Sequence, residues 1–366
     1  MEFCRRRSWF FLQFGVSWYS DTREMVAKKL SSELELFLNE VCREVDHVLR
    51  HLIRPNEDPI PNLDDALAYA LGLDEEAVNQ GKRIRPLLCL LVTHCLGGNL
   101  HHAMPFAAAI ELMHNFCLVH DDIEDGDEFR RGRLSVWRKY GIPHAINIGD
   151  YLFTKIFAAL LLGYGKMPTE KVVRFFTLMA ATLDHTHRGQ ALDMNARSGK
   201  ITIQQYMRIV KEKTGYYLAA PLIAGAIVAD ASQGIEEALS RYGLFIGPMF
   251  QIRDDLIDLT VGKGRDVIGS DIREGKRSFL AAYTFEHASS ADQQALLQIL
   301  DRPREATTDE DVQQALQIFA KCGALKEAER ICLELKDNAL ACLKELPERL
   351  RASLEEITEY LAGREK

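Results

Sequence analysis

The chain has 366 residues, 47% of them hydrophobic and 27% charged, which is enough to bury a substantial core beneath a polar surface. Its formal net charge of −8 argues against nucleic-acid binding, which requires an excess of basic residues on one face. Since no linker rich in proline, glycine or serine interrupts the sequence, we predict one large domain over residues 25–366.

Residues 1–24 are assigned to an N-terminal extension of unknown role. Three arginines, Arg5 to Arg7, precede an apolar stretch in the manner of a secretion signal. Gln13 and Gly15 break that stretch, no clear cleavage site follows, and it is too short to span a bilayer. We therefore expect no transmembrane segment there.

Helical spacing continues through almost the whole chain from residue 25 onward. Apolar residues recur every three or four positions in the segments 25–52, 83–97, 104–125, 145–164, 168–197, 202–213, 215–230, 235–258, 277–286, 290–300 and 308–361. Thr307 and Glu310 have the spacing of a capping box before the last segment. No segment alternates with period two, so the sequence predicts an all-α fold without strands.

The eight cysteines show no CxxC pairing and mostly occur in apolar helical stretches. This distribution is typical of buried free thiols in a reducing compartment, and it favours a cytoplasmic protein over a disulfide-linked or zinc-binding one.

Two acidic motifs stand out, Asp121-Asp122-Ile123-Glu124-Asp125 and Asp254-Asp255-Leu256-Ile257-Asp258. Each ends an apolar helical segment, and residues four apart share one helix face. Carboxylates crowded in this way stay ionised only if cations collect around them, and an all-oxygen ligand set suits Mg²⁺ completed by substrate phosphates. A single DDxxD motif is usually a solvated helix end, whereas two copies about 130 residues apart indicate a diphosphate bound between two metal-carrying walls.

Basic residues accompany both motifs. Lys82 and Arg85 occur in a Gly-Lys-Arg-Ile-Arg-Pro hexapeptide at a predicted helix start, where cations are disfavoured unless an anion lies in front of them. Arg130 and Arg131 follow the first motif, and guanidinium groups suit phosphate oxygens. The alternatives remain open: these cations could pair with nearby acids, the lysines Lys213 and Lys276 could lie on the surface, and His114 could be a core residue.

Together these residues resemble the trans-type isoprenyl diphosphate synthases, most closely the geranylgeranyl and farnesyl diphosphate synthases. The resemblance is carried by the hexapeptide at Gly81–Pro86, His114, both acidic motifs, Arg130-Arg131-Gly132, Gly189-Gln190-x-x-Asp193, Lys213-Thr214, Phe250-Gln251 and Gly269-Ser270-Asp271 with Lys276, in the family's order and spacing over roughly residues 60–285. It implies a single large helical bundle around a deep central cavity, and a homodimer.

The resemblance also implies residue roles. Asp121 and Asp125 would bind two Mg²⁺ ions and Asp254 a third, with Asp122, Asp255 and Asp258 in support. The allylic diphosphate would be held by Arg130, Lys213 and Lys276, with Thr214 and Gln251 beside it. Isopentenyl diphosphate would be held by Lys82, Arg85, His114 and Arg131. The implied reaction condenses the two diphosphates to an all-trans prenyl diphosphate.

Two positions depart from the family pattern. Leu134 stands where the family commonly has proline after Arg-Arg-Gly. Val267 and Ile268 occupy a stretch where a lysine is common, and Lys263 or Arg265 are the only nearby candidates to replace it.

Product length is expected to depend on Phe116 and Cys117, five and four residues before the first motif. In the family, one aromatic followed by a small residue looks like the geranylgeranyl (C20) pattern, while two adjacent aromatics look like farnesyl (C15). Helical geometry alone places Phe116 about 140° from Asp121, so plain helix packing remains an alternative for it.

Other functions fit less well. A farnesyl or longer-chain synthase remains open. A terpene cyclase would normally lack the set formed by Lys82, Arg85 and His114, and a non-catalytic regulatory subunit would typically lose acidic residues from one motif, whereas this chain retains both.

Overall fold

The computed structural model describes residues 30–55, 57–74, 81–259 and 268–364. The N-terminal extension, the domain boundary at residue 25, and Lys263, Arg265 and Val267 lie outside the described residues. The predictions made for them stay predictions.

Within those ranges the chain is built almost entirely from α-helices. They are α1 (Ser32–Leu52), α2 (Asp64–Leu71), α3 (Ile84–Cys95), α4 (Leu100–Glu124), α5 (Val136–Tyr140), α6 (Ile142–Leu161), α7 (Thr169–Ala196), α8 (Ile203–Val210), α9 (Tyr216–Val228), α10 (Gln233–Asp258), α11 (Ser270–Arg273), α12 (Phe279–His287), α13 (Ser290–Leu300), α14 (Asp309–Cys322), α15 (Ala324–Cys342) and α16 (Glu348–Ala362). A π-helical turn (Lys211–Gly215) joins α8 to α9, and short 3₁₀ helices cover Arg304–Ala306 and Leu343–Glu345. The predicted all-α class is confirmed.

The prediction of no strands was wrong at one place. Strands β1 (Phe129–Arg130) and β2 (Arg133–Leu134) pair as a minimal antiparallel hairpin. Its two turn residues, Arg131 and Gly132, both have positive φ, as this tight turn requires. Two-residue strands are too short to show the alternation by which strands are recognised in a sequence.

The last predicted segment, 308–361, is three helices rather than one. Gly323 ends α14 with a φ of 81°, and Pro347 directly precedes α16. The capping box lies one residue later than predicted, with Thr308 accepting from the backbone N–H of Asp311. The helix α2 and the short α5 were also not predicted, because neither is long enough for a clear period.

Two clusters of buried apolar side chains form the core. One gathers around α4 and α6 and the other around α10 and the helices from α12 to α16. Helix α4 packs along α6, and α10 packs between α9 and α15. Because α4 carries apolar residues around most of its circumference, it is largely buried. Its acidic C-terminal end therefore lies in the interior of the bundle.

No helix among the described residues is long and apolar enough to cross a membrane. The seven cysteines in the described ranges are free thiols, as the sequence predicts; Cys4 lies outside those ranges.

Candidate active site

A cavity of about 410 Å³ opens between the helices that carry the two acidic motifs. Most of the predicted site residues line it: Arg85, His114, Phe116, Cys117, Asp121, Asp125, Arg130, Lys213, Thr214, Gln251, Asp254 and Lys276. Lys82, Arg131, Asp122, Asp255 and Asp258 are not among the lining residues. The central geometric expectation, that both motifs face one shared cavity, is therefore met by Asp121, Asp125 and Asp254.

The first motif stands at the C-terminal end of α4, with Asp125 as its C-cap. Asp121 and Asp125 face the cavity, whereas Asp122 is buried and accepts a 2.8 Å bond from Nε of Arg130. The negative end of the helix dipole disfavours the four acidic residues of this motif. A bound cation would remove that penalty.

The electrostatics of Asp121 support the same reading. Burial, together with the neighbouring Asp125 and Glu124, raises the pKa of Asp121 to about 7 against the lowering effect of Lys213. The charged form of this carboxylate is therefore disfavoured by its protein surroundings, and a bound cation would favour it.

Of the three aspartates in the second motif, one faces the cavity and two bond to neighbouring parts of the protein. Asp254 faces the cavity, and Asp255 accepts bonds from Tyr206 Oη at 2.7 Å and Lys276 Nζ at 3.0 Å. Asp258 is buried and accepts bonds from Ser270 Oγ and the N–H of Asp271, each at 2.9 Å. Helical spacing puts Asp254 and Asp258 on one face, but here only Asp254 reaches the cavity, since Asp258 lies one turn further on, where α11 packs against α10.

Lys213 is presented to the cavity by the π-helical turn. Its Nζ donates to Asp193 Oδ2 at 2.9 Å, and the pKa of Lys213 is raised because Asp121 and Asp193 outweigh its burial. A Cβ on Gly189 would lie 2.3 Å from the backbone nitrogen of Lys213. Glycine at 189 therefore lets α7 touch the turn that aims this ammonium group, and π-turns of this kind are common at functional sites.

A second basic group lines another part of the cavity. The Arg85 guanidinium lies 4.2 Å from the centroid of the Tyr217 ring, and His114 lies 6.1 Å from the same ring. The pKa of His114 is held well below its ordinary value by burial and by Arg85 and Arg131, so this histidine is neutral at pH 7.

Lys82 and Arg131 lie outside the cavity lining, near the turn that contains the hexapeptide. Lys82 is exposed, with Nζ 5.6 Å from the ring centroid of Tyr360. Arg131 packs its guanidinium against Gly81, and burial lowers its pKa to about 10. The helix begins at Ile84, so Lys82 precedes the first turn rather than lying within it beside Arg85.

Several residues that sequence reasoning missed contact the site. Arg197 forms ion pairs with Asp125 and, at 3.1 Å, with Glu274, which also lines the cavity. Arg304 donates to the carbonyl oxygen of Asp125 at 2.6 Å and to Asp127 at 3.0 Å. Arg197 lies four residues after Asp193 on the continuation of the same helical face, a spacing that could have identified it.

Four polar atoms at the cavity are buried without a hydrogen-bond partner in the described part of the chain. They are Arg85 Nε, Thr186 Oγ1, Gln190 Oε1 and Tyr217 Oη. Buried polar atoms without partners are costly, so a cavity that gathers several of them is suited to a polar ligand or to water.

Phe116 and Cys117 lie one helical turn below the first motif, and both line the cavity. Phe116 is only 6% exposed and packs against Phe153 with ring centroids 5.4 Å apart. Its position about 140° around the helix from Asp121 does not keep it out of the cavity lining.

Among the described residues, no three His, Cys, Asp or Glu side chains already cluster closely enough to hold a metal ion. The carboxylates stand on opposite walls, and Asp125 is paired with Arg197. An oxygen-only donor set split in this way fits a hard divalent ion that needs a bound diphosphate to complete its coordination.

An all-helical bundle whose two aspartate-bearing helix ends face one cavity defines an isoprenoid-synthase type of protein. The chain matches the model of the family described as polyprenyl synthetase over residues 71–319. It is 32% identical over 336 residues to the geranylgeranyl diphosphate synthase of Saccharolobus solfataricus, covering 91% of this chain and 97% of that protein.

Solved structures of similar proteins support the same family. The geranylgeranyl pyrophosphate synthetase of Pyrococcus horikoshii matches with a TM-score of 0.81 and 33% identity, covering 91% of this chain and 98% of that one. The geranylgeranyl pyrophosphate synthase of Corynebacterium glutamicum, complexed with isoprenyl diphosphate and magnesium, matches with a TM-score of 0.77 and 25% identity, covering 92% and 99%. The chain belongs to the polyprenyl synthetase family, and the predicted prenyltransferase class is confirmed.

Proposed function

We propose that this protein condenses isopentenyl diphosphate with an allylic diphosphate to make all-trans geranylgeranyl diphosphate. The observation that carries the proposal is the shared cavity, with Asp121 and Asp125 on one wall, Asp254 on the other and basic groups between them. The match to geranylgeranyl diphosphate synthases over most of the chain supports the same reaction.

Mg²⁺ is the metal that this donor set fits best, because all candidate ligands are carboxylates at helix C-termini. Asp121, Asp125 and Asp254 would hold it, with three ions as our proposed number. Asp122, Asp255 and Asp258 would act behind them by fixing Arg130, Lys276 and the start of α11. Bound magnesium would neutralise the leaving diphosphate.

The chain's own cations would share that neutralisation. Lys213, Arg130 and Lys276 line the cavity, so they can contact the allylic diphosphate as its C–O bond breaks and negative charge moves onto its oxygen. Thr214 and Gln251 lie beside them. Because Lys213 and Lys276 are already bonded to Asp193 and Asp255, their positions are fixed before substrate arrives.

Isopentenyl diphosphate would be held by Arg85 and His114, with Lys82 and Arg131 contributing from the adjoining turn. Its double bond attacks the allylic cation, and a proton then passes to the released diphosphate as the new double bond forms. Neutral His114 donates a hydrogen bond to the diphosphate without adding charge. Phe116, which is buried at the lower end of the cavity, helps to keep water from the cation.

The C20 product is supported by the lower cavity. Phe116 is the aromatic residue there, and Cys117 adds only a small side chain. A farnesyl synthase would be expected to place a second large side chain at that level. Longer products would require Phe116 to move away from its ring contacts.

A homodimer is also proposed, through one face of α6. Ile142, Ile146, Phe157 and Leu161 lie within about 100° of one another around this helix, and all four are exposed. Exposed apolar stripes of this kind typically mark a protein interface. Light scattering of the protein and of Phe157→Glu tests this, since the variant should shift toward monomer; an unshifted mass would contradict the assignment of this face.

The function is tested by incubating the protein with Mg²⁺, isopentenyl diphosphate and C5, C10 or C15 allylic diphosphates, with chromatographic sizing of the products. We expect diphosphate release and a C20 product. Asp121→Ala and Asp254→Ala should each nearly abolish turnover, whereas Asp184→Ala, which removes an exposed pair with Arg188, should not change it. No turnover with any primer would refute the proposal, and a cyclic hydrocarbon product would favour a terpene cyclase.

A further inference from the structure

Phe116 is enclosed by aromatic rings from three helices. Its ring centroid lies 5.0 Å from that of His120 on the same helix, 5.4 Å from Phe153 on α6 and 5.8 Å from His187 on α7. Phe116, His120 and His187 line the cavity, and Phe153 lies behind Phe116. The lower end of the cavity is therefore surrounded by a group of rings, which we call the ring floor (Phe116, His120, Phe153 and His187).

His187 is the member of the ring floor supplied by α7, and no sequence motif singles it out. Its Nδ1 lies 2.7 Å from the carbonyl oxygen of Leu183, and because a carbonyl can only accept, Nδ1 carries the proton and donates. This bond to the preceding turn fixes the imidazole plane. The ring is thereby held at 31° to that of Phe116, as a flat wall on the α7 side.

The two histidines of the ring floor, His120 and His187, differ in how tightly they are packed. A Cβ on Gly149 would lie 2.2 Å from His120 Nε2, so His120 is wedged against the backbone of α6. His187, by contrast, is exposed, although its ring lines the cavity. Removing its ring costs little core packing, and the variant should fold.

We propose that His187 is a specificity-determining residue that limits product length together with Phe116. A growing prenyl tail that reaches the ring floor meets Phe116 from α4 and the imidazole from α7. With His187 removed, the Phe116 ring loses the neighbour that blocks its movement toward α7, and the tail gains a path along that helix beside Thr186. This inference rests on the proposed function, since it concerns the tail of the same product.

The first experiment sizes the products of His187→Ala. We expect products at least one five-carbon unit longer than those of the unmodified protein, while His187→Phe, which restores a ring, keeps the original length. His185→Ala is the matched control, because His185 lies on the same helix but stacks on Tyr216 at 3.5 Å outside the cavity lining. The double variant Phe116→Ala/His187→Ala should extend the product beyond either single change.

A second measurement does not depend on turnover. Calorimetric binding of non-reacting C20 and C25 prenyl thiodiphosphates, with Mg²⁺ present, gives the relative affinity for the longer tail. His187→Ala should raise the C25-to-C20 affinity ratio by about tenfold, as expected when one steric overlap is removed. An unchanged ratio, or a double variant whose product matches that of Phe116→Ala alone, would overturn the assignment. Absence of turnover in the unmodified protein would instead refute the proposed function, and the affinity ratio would still decide the role of His187.

Discussion

Replacing Gly189 by alanine should damage catalysis far more than folding. The added Cβ would lie 2.3 Å from the nitrogen and 2.5 Å from the Cα of Lys213, and 2.8 Å from the carbonyl carbon of Glu212. Because these are backbone atoms, rotating a side chain cannot relieve the close contact. Since an ordinary contact begins near 3.4 Å, α7 and the π-helical turn must separate by roughly 1 Å.

That displacement acts directly on the ammonium group of Lys213 and on its 2.9 Å bond to Asp193, which spans the same junction. A misplacement of about 1 Å in a positioning group can cost about 100-fold in rate. The overpacking should cost about 1–3 kcal/mol of stability, partly offset by the better helix propensity of alanine.

The assay compares kcat/KM and the thermal unfolding midpoint of Gly189→Ala with those of Gly234→Ala. Gly234 lies in the first turn of α10, where an added Cβ has only Ser232 Oγ at 4.0 Å nearby, so this control should retain full activity. Rates should be measured well below the unfolding midpoint of each variant. A Gly189→Ala enzyme within about threefold of the unmodified protein would show that the close contact does not set the position of Lys213.

Two further predictions concern stability. Asp121→Asn should raise the unfolding free energy of the metal-free protein by about 1–2 kcal/mol at pH 8, a value below the full equivalent of the pKa shift because solvent enters the cavity. The pKa of Asp121 in the folded protein, about 7, lies above its unfolded value, so the gain in unfolding free energy should fade as the pH falls from 7 to 4. Denaturant titrations across that range test this prediction, and a gain that does not change with pH would contradict it. Tyr206→Phe removes the 2.7 Å bond to buried Asp255 and should cost about 1–3 kcal/mol of stability, measured by urea unfolding. An unchanged midpoint would show that the remaining donors, Lys276, Gln251 and the N–H of Phe279, satisfy this carboxylate without Tyr206.

The fold class and the main wall residues could be predicted because they depend on local signals. Helical periodicity persists through long segments, and each acidic motif is contiguous. The same dependence on local signals explains which predictions failed. Asp254 and Asp258 share a face in an ideal helix, yet the burial of Asp258 depends on α11, whose approach no spacing rule predicts.

Residues supplied by distant parts of the chain were the hardest to find. Arg304 is a single arginine among many and lies in no recognisable motif, and the helical spacing of Arg197 after Asp193 does not show that it pairs with Asp125. Their importance comes from tertiary contacts with Asp125 and Asp127, which require the folded bundle. His187 could have been suspected from its position two residues before Gly189, but nothing in the sequence places it beside Phe116.

The contact from Arg304 to the carbonyl oxygen of Asp125 joins residues that are 179 positions apart. The helices beyond residue 290 show no chemistry of their own in the sequence, so inactivating substitutions there would ordinarily be attributed to misfolding. Substitutions of Arg304 found in a genetic screen could instead inactivate the protein by displacing the first acidic motif. The activity of such variants should be partly rescued by excess magnesium, whereas that of misfolded variants should not.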